Sequence, residues 1–511
     1  MVTKTLGALM RATPGARLVA GDPATRIVAI THDSRAVGPG ALFVALPGQR
    51  HDGALFVGQA VARGAVAIVS ERAEPTAPVA WVVVPAARAA LADLAAAWQD
   101  YPSERLRLIG VTGTDGKTTT TRLIGSLLAA GGRRVGWYTT ADLRIGETIR
   151  PNEEHHTTPE ADRVQAVLAA IAAGGADCAV LEASSHALAQ ARLRGCAFDV
   201  GVFTNLSPEH LDYHGSLDAY LEAKARLFTM LGEPTRKSGP RYAVLNADHP
   251  ASERLRAVCP VPVVTYSLER GADVRAVEVA ESLDGFRATV VAAGERWPLA
   301  TRFVGRHNVA NWLAAVAVAL GEGVSVAAIQ QAGRTVEPPP GRLQPVRCGQ
   351  PFAVYVDFAH TPQALRAALS AVRAGATGRV LLAFGHAGNR TQVNRPELGR
   401  IAATLADYFV ITNDDAYPED PRAIADAIEA GAREAGGVAG ERYGRCLDRR
   451  EAIRHLLRLA APGDVVLLAG KGHEAFLRVE ALAQPWSDVA VAQECLAELG
   501  YGGDQPEFGN S

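Results

Sequence analysis

At 511 residues the chain is too long for one ordinary core and suits about three domains. Lys and Arg number 52 against 54 Asp and Glu, a formal charge of −2, so no global basic field advertises nucleic acid as a partner. No apolar run reaches the roughly 18 to 20 residues of a membrane span, and the start MVTKTLGALMRATPG lacks a sustained apolar segment, so a soluble, cytoplasmic chain is expected.

In chain order, the first hundred residues carry short strand-like runs at 27–30, 41–45, 65–69 and 81–84, then a helix-like stretch over 86–98, which together read as a small α/β domain. From Arg107 the order becomes strand (RLIGV), Gly-rich turn (TGTDGK) and a helix on which Leu123, Ile124, Leu127 and Leu128 recur, a βαβ opening that implies a parallel sheet. CAVLEA and FDVGVF repeat the strand theme, and the stretch from about Arg236 to Glu295 reads as extra strands. EPPPG (337–341) suits a stiff connector. Beyond it VYVDF, VLLAF, YFVIT and VVLLAG alternate with helical patterns, a third α/β unit of doubly wound type. The expected domains are therefore 1–104, 105–336 and 337–511, with a polar, frayed tail (GGDQPEFGNS). The six cysteines are scattered without a CxxC pair and read as buried thiols, giving neither a zinc cluster nor a disulfide scaffold.

The strongest local signal is GVTGTDGKTT (110–119), where a strand meets a helix. Gly113 and Gly116 let backbone N–H groups turn toward phosphate, Lys117 neutralises charge, and the Thr118 hydroxyl suits Mg²⁺. Val111 stands at the first glycine position of the general GxxxxGK[ST] form, which leaves a coincidental Gly-rich turn as the alternative. Glu182 ends the run CAVL beside that loop and reads either as a metal ligand or as a solvated strand-end acid. In SLDAYLEAKARLFTML, Ser216 is a candidate N-cap and Leu217, Leu221, Phe228 and Leu231 define an apolar stripe into which Lys224 falls. Lys224 reads either as a snorkelling side chain with a wet ammonium, or as a buried neutral amine able to take up CO₂ and become an oxygen ligand.

Read with HDSR (32–35), HTTP (156–159), LEASSHAL (181–188), TNLSPEHLDYHG (204–215), PGR (340–342), VDFAHTP (356–362) and AGKGHE (469–474), the chain resembles the Mur ligases along nearly its whole length. Within them it resembles the ligases that add the third residue to UDP-N-acetylmuramoyl-L-alanyl-D-glutamate in peptidoglycan precursor synthesis. The resemblance implies an α/β, three-domain Mur ligase architecture: an N-terminal domain for the uridine nucleotide, a central P-loop ATPase and a C-terminal Rossmann-like domain that closes over the acceptor amino acid.

It further implies that Gly113, Thr114, Asp115, Gly116, Lys117, Thr118 and Thr119 hold ATP, with Asn308, Arg342 and Asp357 contacting it from the second and third domains. Ser34 matches a uridine-nucleotide contact, and Thr157, Thr158, Ser184, Gln190 and Arg192 match positions that hold the muramyl dipeptide. Thr118, Glu182 and His210 match Mg²⁺ ligands, and Lys224 matches the family's carbamylated lysine. Lys117, His210 and Lys224 form the expected catalytic set. His360, beside Asp357, has a hydrogen-bonding or a catalytic role.

Departures from the family pattern are Asp115 for Asn, Glu209 for Asp, His307 for Phe and Gln344 for an acid. The largest concerns the acceptor. Diaminopimelate-adding members carry DNPR where this chain has Asp414, Asp415, Ala416 and Tyr417, so the arginine that would meet a second carboxylate is absent. Arg390 remains for the α-carboxylate and Glu474 faces the same region, while Asp414 and Asp415 would favour a side-chain ammonium or merely cap a turn. L-Lysine or L-ornithine is thus the expected acceptor, with Arg395 the fallback cation for a second carboxylate. The expected enzyme is a monomer using ATP, Mg²⁺ and a carbamate on Lys224, with a UDP-linked muramyl dipeptide and a free amino acid as partners. A sister ligase acting on another carboxylate and a silent nucleotide-binding protein are the alternatives.

Overall fold

The structure, a computed structural model, describes residues 3–48, 52–154, 156–388, 390–479 and 482–502. The tail expected to fray lies, from residue 503 onward, outside the described residues.

Three main sheets follow one another along the chain. The first has five strands, in the order Arg17–Ala20, Ala80–Val83, Ala65–Ser70, Ala41–Val44 and Ala29–Thr31. Its apolar strands are covered by helix Ala87–Trp98, whose Leu91 and Leu94 pack with Leu42, Val69 and Val82.

The second sheet has eleven strands. Near its centre lies β1 (Arg107–Thr112), parallel to β2 (Cys178–Glu182) on one side and to Val200–Phe203 on the other. Strands buried on both faces read as unbroken apolar runs, which is why RLIGV and CAVL show no alternation. Between β1 and β2 in sequence runs helix α1 (Lys117–Ala130), which packs on helix Arg306–Gly321, polar in its first turns and apolar from Trp312 to Leu320. Helix α2 (Leu217–Met230) covers the opposite face and is capped by Ser216, whose hydroxyl accepts from Ala219 N–H. The extra strands expected after Arg236 are present, and the last three, Val274–Ser282, Gly285–Ala292 and Glu295–Thr301, form an antiparallel edge. There the side chains alternate, with Phe286, Ala288, Val290 and Ala292 turned into the core.

The third sheet has six strands. β3 (Ala353–Asp357), β4 (Val380–Phe384), β5 (Tyr408–Ile411) and β6 (Val465–Ala469) are parallel, in the spatial order β3-β6-β4-β5. Helices lie on both faces: Pro362–Gly375 and Asn394–Leu405 contribute to one core, while α3 (Arg449–Leu459) and α4 (Asp488–Glu498) contribute to the other. In such a sheet ligands bind outside the carboxyl ends of the strands, where the loops after β3, β4, β5 and β6 gather.

Candidate functional site

Where β1 turns into α1, two glycines are required by geometry. Gly113 has φ 151° and a Cβ there would lie 1.9 Å from Thr204 Oγ1; Gly116 has φ 82° and its Cβ would lie 2.4 Å from Asn311 Oδ1. The turn is braced from outside. Asn205 takes the N–H groups of both Thr114 (2.9 Å, at its carbonyl) and Asp115 (2.9 Å, at Oδ1). The donors available to phosphate include those at the start of α1, where Lys117, Thr118 and Thr119 have no carbonyl one turn back within the helix.

Lys117 Nζ donates to the carbonyls of Gly113 (3.1 Å) and Thr114 (2.8 Å). Burial draws its pKa down, opposed by the charges of Glu182 and Asp115. Thr118 Oγ1 donates to Glu182 Oε1 at 2.8 Å and accepts from Arg342 Nη2 at 3.2 Å. Glu182 is 1% exposed, so it is no solvated strand-end acid, and Thr140 donates its N–H to the same Oε1 (2.7 Å) and its hydroxyl to Oε2 (3.1 Å). Burial raises the Glu182 carboxyl, with Lys117 as the main counterweight. His210 begins a short helix with φ 56°, and burial, reinforced by the charge of His186, lowers its imidazole to about 3. It is neutral near pH 7 and keeps a lone pair for a metal.

Lys224 is 1% exposed, which corrects the snorkelling reading. Its Nζ donates to the Gly113 carbonyl at 2.7 Å and lies 4.1 Å from the Tyr220 ring centroid. Burial, then the charge of Lys117, drives its pKa well below the ordinary lysine value. The expected stripe on α2 needs one correction: Leu217 is 41% exposed at the helix start, while Tyr220, Leu221, Leu227 and Phe228 form the buried face.

These groups open onto a cavity of about 410 Å³ lined from two sheets. The phosphate loop from Thr114 to Thr119, Thr157, Glu182, Glu209 and His210 enter from the second. Asp357, His360, Arg390 and Glu474 enter from the third, with Arg342 on the connection and Asn308 at the start of its helix. Asn308 is tied to Val304 O (2.9 Å) and Asn311 (3.0 Å), and the Asp357 carboxylate accepts from Leu343 N–H (2.6 Å) and Ala359 N–H (2.8 Å). His360 donates from Nδ1 to the Phe358 carbonyl (2.7 Å), which leaves Nε2 as an acceptor. Gln344 accepts from Gly341 N–H at 2.8 Å, and burial lowers the His307 imidazole to about 4, so it is neutral near pH 7. Asp115 Oδ2 and Glu209 Oε2, on two residues that depart from the family pattern, are buried without a hydrogen-bond partner among the described residues.

The candidate dipeptide residues stand beside that cavity as one network. Thr158 Oγ1 donates to Glu182 O (2.7 Å) and accepts from Ser184 N–H (3.1 Å); Arg192 donates to Thr158 O (2.9 Å) and to Gln190 Oε1 (2.7 Å). Ser34 stands apart on the first sheet's side, its hydroxyl donating to Gln59 Oε1 at 2.8 Å.

The acceptor loops hold a residue that sequence reasoning left unassigned. Side-chain oxygens of Asp414, Asp415 and Glu474 converge within 4.8 Å of one another, and the ammonium of Lys471 stands among them, 2.9 Å from Asp415, 2.6 Å from Glu474 and 3.8 Å from Asp414. Against the cost of burial, the three carboxylates raise the Lys471 pKa. Asp415 also accepts from Arg478 N–H (2.8 Å), so it is committed to the scaffold, and three acids face one internal cation. Tyr417 has φ 53° and carries the Arg478 guanidinium 5.4 Å from its ring centroid. Arg395, the expected fallback cation, is 5% exposed and paired with Glu419 at 2.8 Å. The GKGHE motif placed Lys471 near the site and beside Glu474, but its other two partners, Asp414 and Asp415, lie more than fifty residues away in sequence.

Comparison with known proteins gives three family matches: the Mur ligase family catalytic domain over residues 26–99, the Mur ligase middle domain over 111–319, and the Mur ligase glutamate ligase domain over 341–472. A UDP-N-acetylmuramyl-tripeptide synthetase of Roseiflexus sp. (strain RS-1) is 44% identical, over 93% of this chain and 96% of its own length. A UDP-N-acetylmuramoyl-L-alanyl-D-glutamate–2,6-diaminopimelate ligase of Geobacillus thermodenitrificans is 41% identical, over 92% and 95%. Among solved structures, a ligase of that second name matches with a TM-score of 0.67 and 31% identity over 98% of this chain and 100% of that one. A MurF ligase of Thermotoga maritima in complex with ADP shares the fold, with a TM-score of 0.60 and 20% identity over 92% and 96%.

Proposed function

Because the chain belongs to the Mur ligase family, we propose that it adds the third amino acid to UDP-N-acetylmuramoyl-L-alanyl-D-glutamate, forming an amide while ATP becomes ADP and phosphate, in peptidoglycan precursor synthesis. The observation that carries this reading is the single cavity that joins the phosphate loop to Arg390 and Glu474 on the third sheet's loops. Residues 1–104 would take the uridine nucleotide through Ser34, residues 105–336 the ATP and the dipeptide, and residues 337–511 the amino acid. One chain carries all these residues, which fits a monomer, and both ATP and the UDP-linked substrate belong to the cytoplasm.

The dipeptide's free carboxylate, oriented by Thr157, Thr158, Ser184, Gln190 and Arg192, attacks the γ-phosphorus of ATP; ADP leaves and an acyl phosphate remains. The neutral amino group of the acceptor then attacks the acyl carbon, loses a proton, and expels phosphate from the tetrahedral intermediate. Lys117 and the N–H groups opening α1 face the negative charge that builds up in both steps. Asn308, Arg342 and Asp357 would hold the nucleotide. Thr118, Glu182 and His210 would hold Mg²⁺: the Thr118 hydroxyl lies beside the buried Glu182 carboxylate, the neutral His210 imidazole lines the same cavity, and the ion would supply charge neutralisation when bound. The Lys224 amine, its pKa drawn well down by burial, suits addition to CO₂, forming an N–C bond with loss of one proton from the neutral amine; the carbamate nitrogen keeps one N–H for the Gly113 carbonyl.

For the acceptor, three acids facing one internal lysine leave a net negative field, which favours an L-lysine or L-ornithine side chain. The Arg478 guanidinium over Tyr417 supports a second reading, in which diaminopimelate is the acceptor. The test is phosphate release with UDP-N-acetylmuramoyl-L-alanyl-D-glutamate and a panel of amino acids. Release should require both substrates; full-rate hydrolysis with neither would overturn the function.

A further inference from the structure

Arg449, at the start of α3, is fully buried, and so is its partner Asp488 at the start of α4. The guanidinium meets that carboxylate with two hydrogen bonds, Nε to Oδ1 (2.8 Å) and Nη2 to Oδ2 (2.6 Å), and Trp486 Nε1 donates to Oδ1 as well (2.8 Å). Its remaining donors go to two main-chain carbonyls: Nη2 to Ala469 O at 2.9 Å and Nη1 to Asn413 O at 3.3 Å.

Those carbonyls are not arbitrary. Asn413 immediately precedes Asp414 and Asp415, and Ala469 ends β6, two residues before Lys471. The strands behind them, β5 and β6, are not neighbours, since β4 lies between them. No ladder hydrogen bond therefore fixes the distance between the two loops. The Arg449 fork spans that gap, and a planar guanidinium held on one edge by a carboxylate can direct its other N–H groups at two separate carbonyls where an ammonium cannot.

We infer that Arg449, locked by Asp488, is a positioning residue for the acceptor amino acid: it sets the spacing of the loops after β5 and β6, so that Asp414, Asp415 and Glu474 converge on Lys471. It does not line the cavity, and its hydrogen bonds go to Asp488, Asn413 and Ala469 rather than to the ATP or dipeptide residues. The inference rests on the proposed ligase activity for its kinetic reading only.

Two variants test it. Arg449→Lys keeps a charge for Asp488 but cannot reach both carbonyls. Arg449→Met with Asp488→Leu replaces the pair by apolar groups, an exchange that buried ion pairs often tolerate without loss of stability. In either folded variant, hydrogen exchange should accelerate at 414–417 and 470–474 together. The KM for the amino acid that wild type uses best should rise on the order of tenfold, with those for ATP and the UDP substrate within about twofold. Unchanged exchange at both loops, or all three KM values rising in parallel, would overturn the inference. The exchange measurement needs no turnover, so an inactive wild type would defeat the proposed function while leaving this result readable.

Discussion

Lys224 sits on the buried face of α2, within hydrogen-bond reach of the turn that precedes α1, and that placement rules out a snorkelling side chain with a wet ammonium. A charged ammonium in that position is expensive, and its neighbour Lys117 adds repulsion, so burial and charge together draw the Lys224 pKa well below the ordinary lysine value and ease access to the neutral amine. Lys224→Ala should therefore lose at least about a hundredfold in turnover if the carbamate serves the metal, with partial recovery on adding a short carboxylate such as acetate. An active variant, or one that no carboxylate rescues, would argue against the carbamate. Lys117→Ala should cost on the order of 3 kcal/mol in transition-state stabilisation, read as a fall in kcat with amino-acid-dependent phosphate release; wild-type rates would remove Lys117 from the site. Both lysines were legible in the sequence because their signals are local, a loop spacing and an intruder in an apolar stripe. Asn205, which takes two N–H groups of the phosphate loop, was not, because it arrives from another strand ninety residues later.

At the scale of elements, alternation and apolar runs announced the strands. What no periodicity could announce is how loops at the ends of non-adjacent strands compensate one another. Asp414 and Asp415 look, in sequence, like two free acids waiting for an ammonium; in the fold Lys471 already stands among them and Asp415 is bound to the scaffold. Burial works against the Asp414 carboxylate, but Lys471 and then Arg449 hold its pKa below the ordinary value, so it stays ionised near pH 7. The net excess of acid over cation still favours a cationic side chain. L-Lysine or L-ornithine should exceed meso-diaminopimelate in kcat/KM by a margin on the order of 2 kcal/mol, and Asp415→Asn with Tyr417→Arg should narrow it. A panel in which diaminopimelate leads would transfer the role to Arg478, since Arg395 is committed to Glu419.

Across the whole molecule, the residues assigned to one reaction lie on three sheets, so the activity depends on what holds the sheets together. Between the first and second, helix Ala87–Trp98 packs on helix Ala161–Ala173, and the seam carries ion pairs: Arg88 with Glu160, Arg194 with Asp93, and His32 with Asp162 at 2.9 Å. Of these, His32 titrates nearest neutrality. Burial alone would lower its pKa, but the hydrogen bond and charge of Asp162, with Glu160 and Asp33 behind, outweigh it and raise the value above 6.5. A group whose folded pKa is raised stabilises the fold fully below its unfolded pKa and loses that contribution as pH climbs through the folded one. The seam should therefore weaken as pH rises above 6.5 and through the raised His32 pKa. Thermal melts between about pH 5.5 and 9 should lose a component of Tm in wild type that His32→Gln lacks. Because Asp162→Asn removes the partner that lifts the pKa, it should flatten the same component, while variants at Arg194, whose guanidinium stays charged throughout, should shift every melt equally. Identical pH slopes in wild type and His32→Gln would mean that the HDSR turn is held to the second unit by packing alone.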